Sequence, residues 1–154
     1  MRPLRLLIAE DDQFKAQHVL EFLREVLPQS ELIESRSVNS SMRLLEEKSF
    51  DLCVLDMSLP TFDVAPDESG GRAQGFGGRE VLRFLDRMEL HVPVLVVTQY
   101  KQFEDENESM DLNDLSNTLR AYYPKLFVGL VHYDAVQELW RRELRQLVKS
   151  LFQS

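Results

Sequence analysis

Three carboxylates and one hydroxyl stand where this chain could do chemistry. Glu10 and Asp11 follow the apolar run 4–9, Asp56 follows the run 52–55, and Thr98 follows the run 92–97. Anions brought so close repel one another, and one of them protonates unless a cation sits among them. Hard carboxylate oxygens that leave positions open for water and phosphate oxygens suit Mg²⁺. With the metal bound, Asp56 is a carboxylate nucleophile beside a divalent ion, the arrangement used to form aspartyl phosphates. Thr98 offers a hydroxyl to an incoming phosphoryl oxygen. Each residue also has a plain structural role. Acids after a strand cap helices, and Asp12 is read that way; Asp56 can open a turn toward Pro60, and Thr98 fits a strand. It is the combination at three neighbouring strand ends that favours chemistry.

The elements that must position these residues follow from periodicity. Short apolar runs at 4–9, 32–33, 52–55, 92–97 and 126–131 alternate with amphipathic stretches. Most runs are apolar at consecutive positions, as in parallel strands covered on both faces. Phe14, Leu20, Leu23 and Leu27 stripe the first helix, which Pro28 closes. Val38, Met42 and Leu45 mark the second, capped by Ser37 or Asn39. Val81, Leu82, Leu85 and Met88 mark the third, and Leu112, Leu115, Leu119 and Tyr122 the fourth. The last helix carries Val136, Leu139, Trp140, Leu144, Leu147, Val148, Leu151 and Phe152, with Arg141, Arg142 and Arg145 between them. Five β-α units imply an α/β, flavodoxin-like, doubly wound sheet of five parallel strands in the order 2-1-3-4-5. Chemistry in such a sheet lies beyond the carboxyl ends of the strands.

Composition narrows the class. The 154 residues read as one domain, with long connections at 61–78 and 101–111. The first holds five of the six glycines, and its Gly75-Phe-Gly-Gly lacks the strand and the Lys-Ser/Thr of a phosphate cradle. Cys53 is the single cysteine, which excludes an internal disulfide framework and a cysteine zinc cluster. No apolar run approaches the roughly 18 residues of a membrane span, and the start is too short for a signal peptide core. A formal charge of -8 disfavours nucleic acid. An acidic, cytoplasmic domain is expected, monomeric or dimeric.

Leu6-Leu-Ile-Ala-Glu-Asp-Asp, Val54-Leu-Asp-Met-Ser-Leu-Pro60, Gly78-Arg-Glu-Val-Leu and Val92-Pro-Val-Leu-Val-Val-Thr98 together resemble the receiver domain of bacterial two-component response regulators. The resemblance spans nearly the whole chain. It implies that Asp56 is the phosphoacceptor, that Glu10 and Asp11 are Mg²⁺ ligands with Asp56, and that Ser58 lends its backbone carbonyl to the metal. Thr98 would be the switch hydroxyl. The phosphoryl group would come from a phosphohistidine on a histidine kinase or phosphotransfer protein. The chain stops after its fifth helix, so a signal is expected to leave through contacts with a downstream protein. Trp140 and the arginines of the last helix are candidates for that surface.

The chain departs from the family pattern at strand five, where a lysine is expected. The register puts His132 there, and Lys101 and Lys125 fall elsewhere. His132 could stand in only when protonated, so switching would then fade above roughly neutral pH. The family's switch aromatic falls on Gly129, leaving Tyr100 and Tyr133 as substitutes. The alternative to a phosphorylated receiver is a receiver-like interaction module independent of phosphorylation. Enzyme readings are disfavoured. A haloacid-dehalogenase-type phosphatase wants a second Asp where Ser58 stands, and Glu10-Asp11-Asp12 would repel a flavin phosphate.

Overall fold

The computed structural model describes residues 2–63, 76–104 and 108–152. Five parallel strands form the central sheet: β1 (Arg5–Ala9), β2 (Glu31–Ser35), β3 (Leu52–Leu55), β4 (Val94–Thr98) and β7 (Phe127–His132). Their order is β2-β1-β3-β4-β7, the expected doubly wound order with β7 as the fifth parallel strand. Among the described residues four helices connect them, α1 (Gln13–Val26), α2 (Val38–Glu47), α3 (Gly77–Arg87) and α4 (Leu112–Tyr122), and α5 (Leu139–Phe152) follows the last strand. None is long and apolar enough to cross a membrane among the described residues.

Consecutive strand residues alternate between two apolar layers because successive side chains point to opposite faces. Leu7, Ala9, Cys53, Leu55, Val94 and Val96 pack with residues of α2, α3 and α4. Leu6, Ile8, Leu52, Val54, Leu95 and Val97 pack with α1 and α5. Both faces are covered, which explains why the strands read as unbroken apolar runs. Ser37 caps α2 through a capping box with Ser40, resolving the choice between Ser37 and Asn39.

Several expected core residues lie outside. Phe14 is 64% exposed, and Met88, Tyr122, Val136 and Leu139 are also exposed. All sit at helix ends or beyond them, where the stripe runs past the edge of the sheet. Trp140, a candidate for the contact surface, is buried between Phe22 and Tyr133, with ring centroids 5.8 and 5.1 Å away, and is only 3% exposed.

The connection at 101–111 is not a plain excursion. It contains an antiparallel ribbon of β5 (Gln102–Glu104) and β6 (Ser109–Asp111), pairing Phe103 with Met110. Phe103 is fully buried and lies 6.1 Å from the Phe76 ring, while Arg79 of α3 reaches Glu108 at 2.7 Å. Asp111 ends the ribbon and caps α4. Polar residues on the outward positions hid a structure that one phenylalanine anchors. Of the glycine-rich connection, residues 64–75 lie outside the described residues, including Gly70, Gly71 and Gly75.

At the opposite end of the sheet Asp51 ties β1 to β3. Its carboxylate accepts the Arg5 N–H at 2.8 Å and pairs with both terminal nitrogens of Arg2. The Arg2 guanidinium holds this carboxyl below the ordinary aspartate value, against the opposing effect of burial, with help from the Arg5 N–H. A depressed folded value means stabilisation that is full above the unfolded pKa and lost as pH falls through the folded one. Arg2 is exposed and its pair screened, which discounts its part in stability, while the Arg5 N–H makes a part-buried bond to the same carboxylate. Asp51→Ala is expected to cost about 1.5–3 kcal/mol in urea unfolding at neutral pH. The difference from wild type should shrink as pH falls below the ordinary aspartate range.

Candidate functional site

Strand register brings the acids together. Ala9 pairs with Leu55, so Glu10 and Asp56 leave neighbouring strands side by side, and the Asp56 N–H donates to the Ala9 carbonyl at 2.9 Å. On the other flank Leu55 pairs with Val96, which puts Thr98 just beyond Asp56 on β4. Glu10, Asp56 and Thr98 are buried, and Asp11 is partly exposed.

The cation that the sequence demanded among these acids is a side chain. Lys15, in the first turn of α1, is only 1% exposed. Its Nζ lies 2.6 Å from Glu10 Oε1, 3.4 Å from Asp56 Oδ1 and 2.8 Å from Gln99 Oε1. Lysine is almost never fully buried unless paired, and a cation in a first helical turn opposes the helix dipole. Both costs are offset here by two carboxylates. Asp12 places the lysine: it caps α1 by accepting the Lys15 N–H, as expected, while its own N–H donates to Glu10 Oε2. Burial first, and then Asp56, push the Glu10 carboxyl well above the usual carboxylate range, against the pull of Lys15.

Asp11 is held differently. Its Oδ1 is 3.8 Å from Arg36 Nη2, and this oxygen and Arg36 Nε are the buried side-chain polar atoms without a hydrogen-bond partner among the described residues. Burial raises the Asp11 carboxyl above its ordinary value, with Arg36 opposing. Ser58 covers Asp56, its hydroxyl donating toward Oδ2 at 3.1 Å and its N–H toward Oδ1 at 3.4 Å.

These contacts decide which groups could receive a divalent ion. No cluster of three Asp, Glu, His or Cys side chains is arranged to hold a metal among the described residues. Mg²⁺ needs only one or two carboxylates because it keeps several waters. Asp11, with its orphaned oxygen, and Asp56 fit that requirement. Glu10 has one oxygen on Lys15 and the other on the Asp12 N–H, so it meets the site through the ammonium. The sequence arithmetic of three acids sharing one ion therefore missed a cation already built in.

The other sequence candidates are placed as follows. Thr98 Oγ1 accepts the Tyr100 N–H at 3.2 Å, and the Thr98 carbonyl accepts the Tyr133 N–H at 2.7 Å. His132 pairs with Thr98 across β4 and β7, one strand further from Asp56, and its Nε2 faces the Gln99 carbonyl at 3.2 Å. A carbonyl only accepts, so this bond fixes the proton on Nε2. The position expected for a switch aromatic, Gly129, is roofed by Leu147: an added Cβ would lie 3.1 Å from its Cδ1. Tyr133 is buried against Trp140, and its hydroxyl meets His18 Nδ1 of α1 at 2.6 Å.

A sheet whose carboxyl edge gathers Asp56, two further acids and a buried ammonium defines a response regulator receiver domain, here one without the usual lysine on the fifth parallel strand. No family model matches the chain. It is 30% identical over 149 residues to the Detocs response regulatory protein DtcB of Vibrio alginolyticus, covering 94% of this chain and 99% of that one, and it belongs to the same family. It is 29% identical over 151 residues to the uncharacterized protein y4jR of Sinorhizobium fredii, covering 96% and 99% of the two chains. Among solved structures, the receiver domain of a sensor histidine kinase from Pseudomonas aeruginosa PAO1, with a magnesium ion in its active-site cleft, superimposes with a TM-score of 0.63. That pair shares 16% identity and covers 99% of each chain.

The Asp56 loop is seated on α3 by close backbone approach. An added Cβ at Gly77 would lie 1.9 Å from the Leu59 carbonyl oxygen, and one at Gly78 would lie 2.8 Å from that of Asp56. Gly77→Ala must displace backbone and is expected to cost about 1–3 kcal/mol in thermal or urea unfolding. Amide NMR shifts should move from residue 56 through residue 59. An unchanged spectrum over that stretch would contradict the contact.

Proposed function

We propose that this chain accepts a phosphoryl group on Asp56 from a phosphohistidine of a histidine kinase or phosphotransfer protein, in a magnesium-dependent reaction, and passes the signal on by protein contacts. The observation that carries this reading is the placement of Asp56. It is a strand-end carboxylate beside a buried ammonium, flanked by Asp11 with an unsatisfied oxygen and by the Thr98 strand end.

In the transfer, an Asp56 oxygen attacks the phosphorus of the donor, in line with the phosphorus–nitrogen bond. The new O–P bond forms as the N–P bond breaks, and the electron pair returns to the imidazole nitrogen of the donor histidine. The metal, when bound, would neutralise charge on the phosphoryl oxygens. Ser58 must give up its bonds to Asp56, because both carboxylate oxygens are covered at rest. Thr98 releases its hydroxyl from Tyr100 to meet a phosphoryl oxygen, which frees the start of the connection leading into the β5–β6 ribbon. In this reading the chain is a phosphoacceptor rather than an enzyme acting on a separate substrate.

Burial favours a second reading, a receiver-like module that docks partners without being phosphorylated: Asp56 is 3% exposed, which hinders the approach of a phosphoryl donor. Acetyl phosphate with Mg²⁺ separates the two. Phosphorylation should add one phosphoryl group by intact mass, labile to hydroxylamine, absent from Asp56→Asn and slowed at least about tenfold by a chelator. No mass gain from acetyl phosphate or from a phosphorylated kinase would leave the docking module as the function.

A further inference from the structure

Lys15 is the buried basic side chain among the described residues, and the transfer chemistry above leaves its role open. We propose that Lys15, delivered by the first turn of α1, is the cation that binds the phosphoryl group carried by Asp56; this rests on Asp56 being the acceptor. An ammonium has three donors on a flexible stem. Two of its contacts here are short, to Glu10 and to Gln99, and the third is the long one at 3.4 Å to Asp56. The loosest contact therefore points at the group that gains charge. A phosphoryl group brings strong acceptor oxygens and additional negative charge, whereas the Gln99 amide oxygen is neutral. The ammonium is expected to keep Glu10 and exchange Gln99 for the phosphoryl oxygens.

The other nearby bases face other groups. Arg36 faces Asp11, at 3.8 Å and without a hydrogen bond, and no contact joins it to Asp56 among the described residues, while His132 donates to the Gln99 carbonyl from beyond β4. Gln99 thus joins the two sites: its side chain accepts from Lys15, its carbonyl from His132. Loss of the Lys15 contact on phosphorylation would loosen the backbone directly after Thr98.

The test uses beryllofluoride with Mg²⁺ as the phosphoryl mimic, followed by Trp140 fluorescence on the full chain. Lys15→Met alone strands two buried carboxylates and can fail to fold. The decisive comparison is therefore Glu10→Gln against Glu10→Gln/Lys15→Met, where the two proteins differ only in the Lys15 ammonium and neither leaves Glu10 as a buried carboxylate without its partner. Near-UV circular dichroism checks that both are folded. The double variant is expected to bind beryllofluoride about ten- to a hundredfold more weakly than Glu10→Gln. Glu10→Gln/Lys15→Arg should recover part of the loss. The Gln99 side-chain amide resonances should shift on beryllofluoride binding only when Lys15 is present. Equal affinities in the single and double variants would overturn the proposal, as would a comparable loss from His132→Ala with Lys15 intact. A wild-type protein that binds no beryllofluoride and takes no phosphoryl group would instead defeat the acceptor reading itself.

Discussion

A parallel sheet that ends two neighbouring strands in acids has an electrostatic problem to solve before it can do anything else. Water is excluded from Glu10 and Asp56, and two unpaired carboxylates in such a place would not both stay ionised. The ammonium of Lys15 answers this from within the chain. Residues 10–15 form a closed loop of contacts: Glu10 holds the Asp12 N–H, Asp12 holds the Lys15 N–H, and Lys15 returns to Glu10. The segment is one device, in which the helix cap and the charge balance depend on each other. Breaking a buried pair by removing one partner leaves an uncompensated charge, a far larger penalty than the pair's net contribution.

The backbone is fitted around this cluster with equal economy. Asp56 is anchored to β1 through the Ala9 carbonyl, and the loop after it is pressed on α3 so closely that Gly77 and Gly78 leave no space for a side chain. Gly77 and Gly78 of the stretch that imitates a phosphate cradle are thus packing residues. They let α3 start directly against the loop that follows Asp56.

Much of this was legible in the sequence because burial on both faces leaves an unmistakable mark. Leu6 to Ala9 and Val94 to Val97 are apolar at every step, as β1 and β4 require. The strand order and the gathering of Glu10, Asp11 and Asp56 followed from that pattern. Lys15 was not legible from the family pattern, which places its basic residue on the fifth parallel strand, whereas the ammonium beside Asp56 comes from the first turn of α1. A lysine in a first helical turn, unfavourable beside the dipole and just after an acidic cluster, was the available signal. The β5–β6 ribbon escaped notice because three-residue strands carry too little periodicity, and only Phe103 between two polar residues betrays it. Trp140, read both as part of the α5 stripe and as a candidate for the contact surface, belongs to the core, because periodicity gives the direction of a stripe but not how far the sheet extends beneath it.

Helix α1 is fastened at two points a single turn apart. Lys15 reaches into the acids at the ends of β1 and β3, and His18 bonds the hydroxyl of Tyr133, whose ring leans on Trp140 of α5 and whose N–H holds the Thr98 carbonyl. A helix suspended this way cannot roll about its axis without releasing one of its two moorings. Any rearrangement of the ammonium is therefore mechanically yoked to the tyrosine, and the lone indole beside that tyrosine serves the molecule as an internal gauge of where α1 sits.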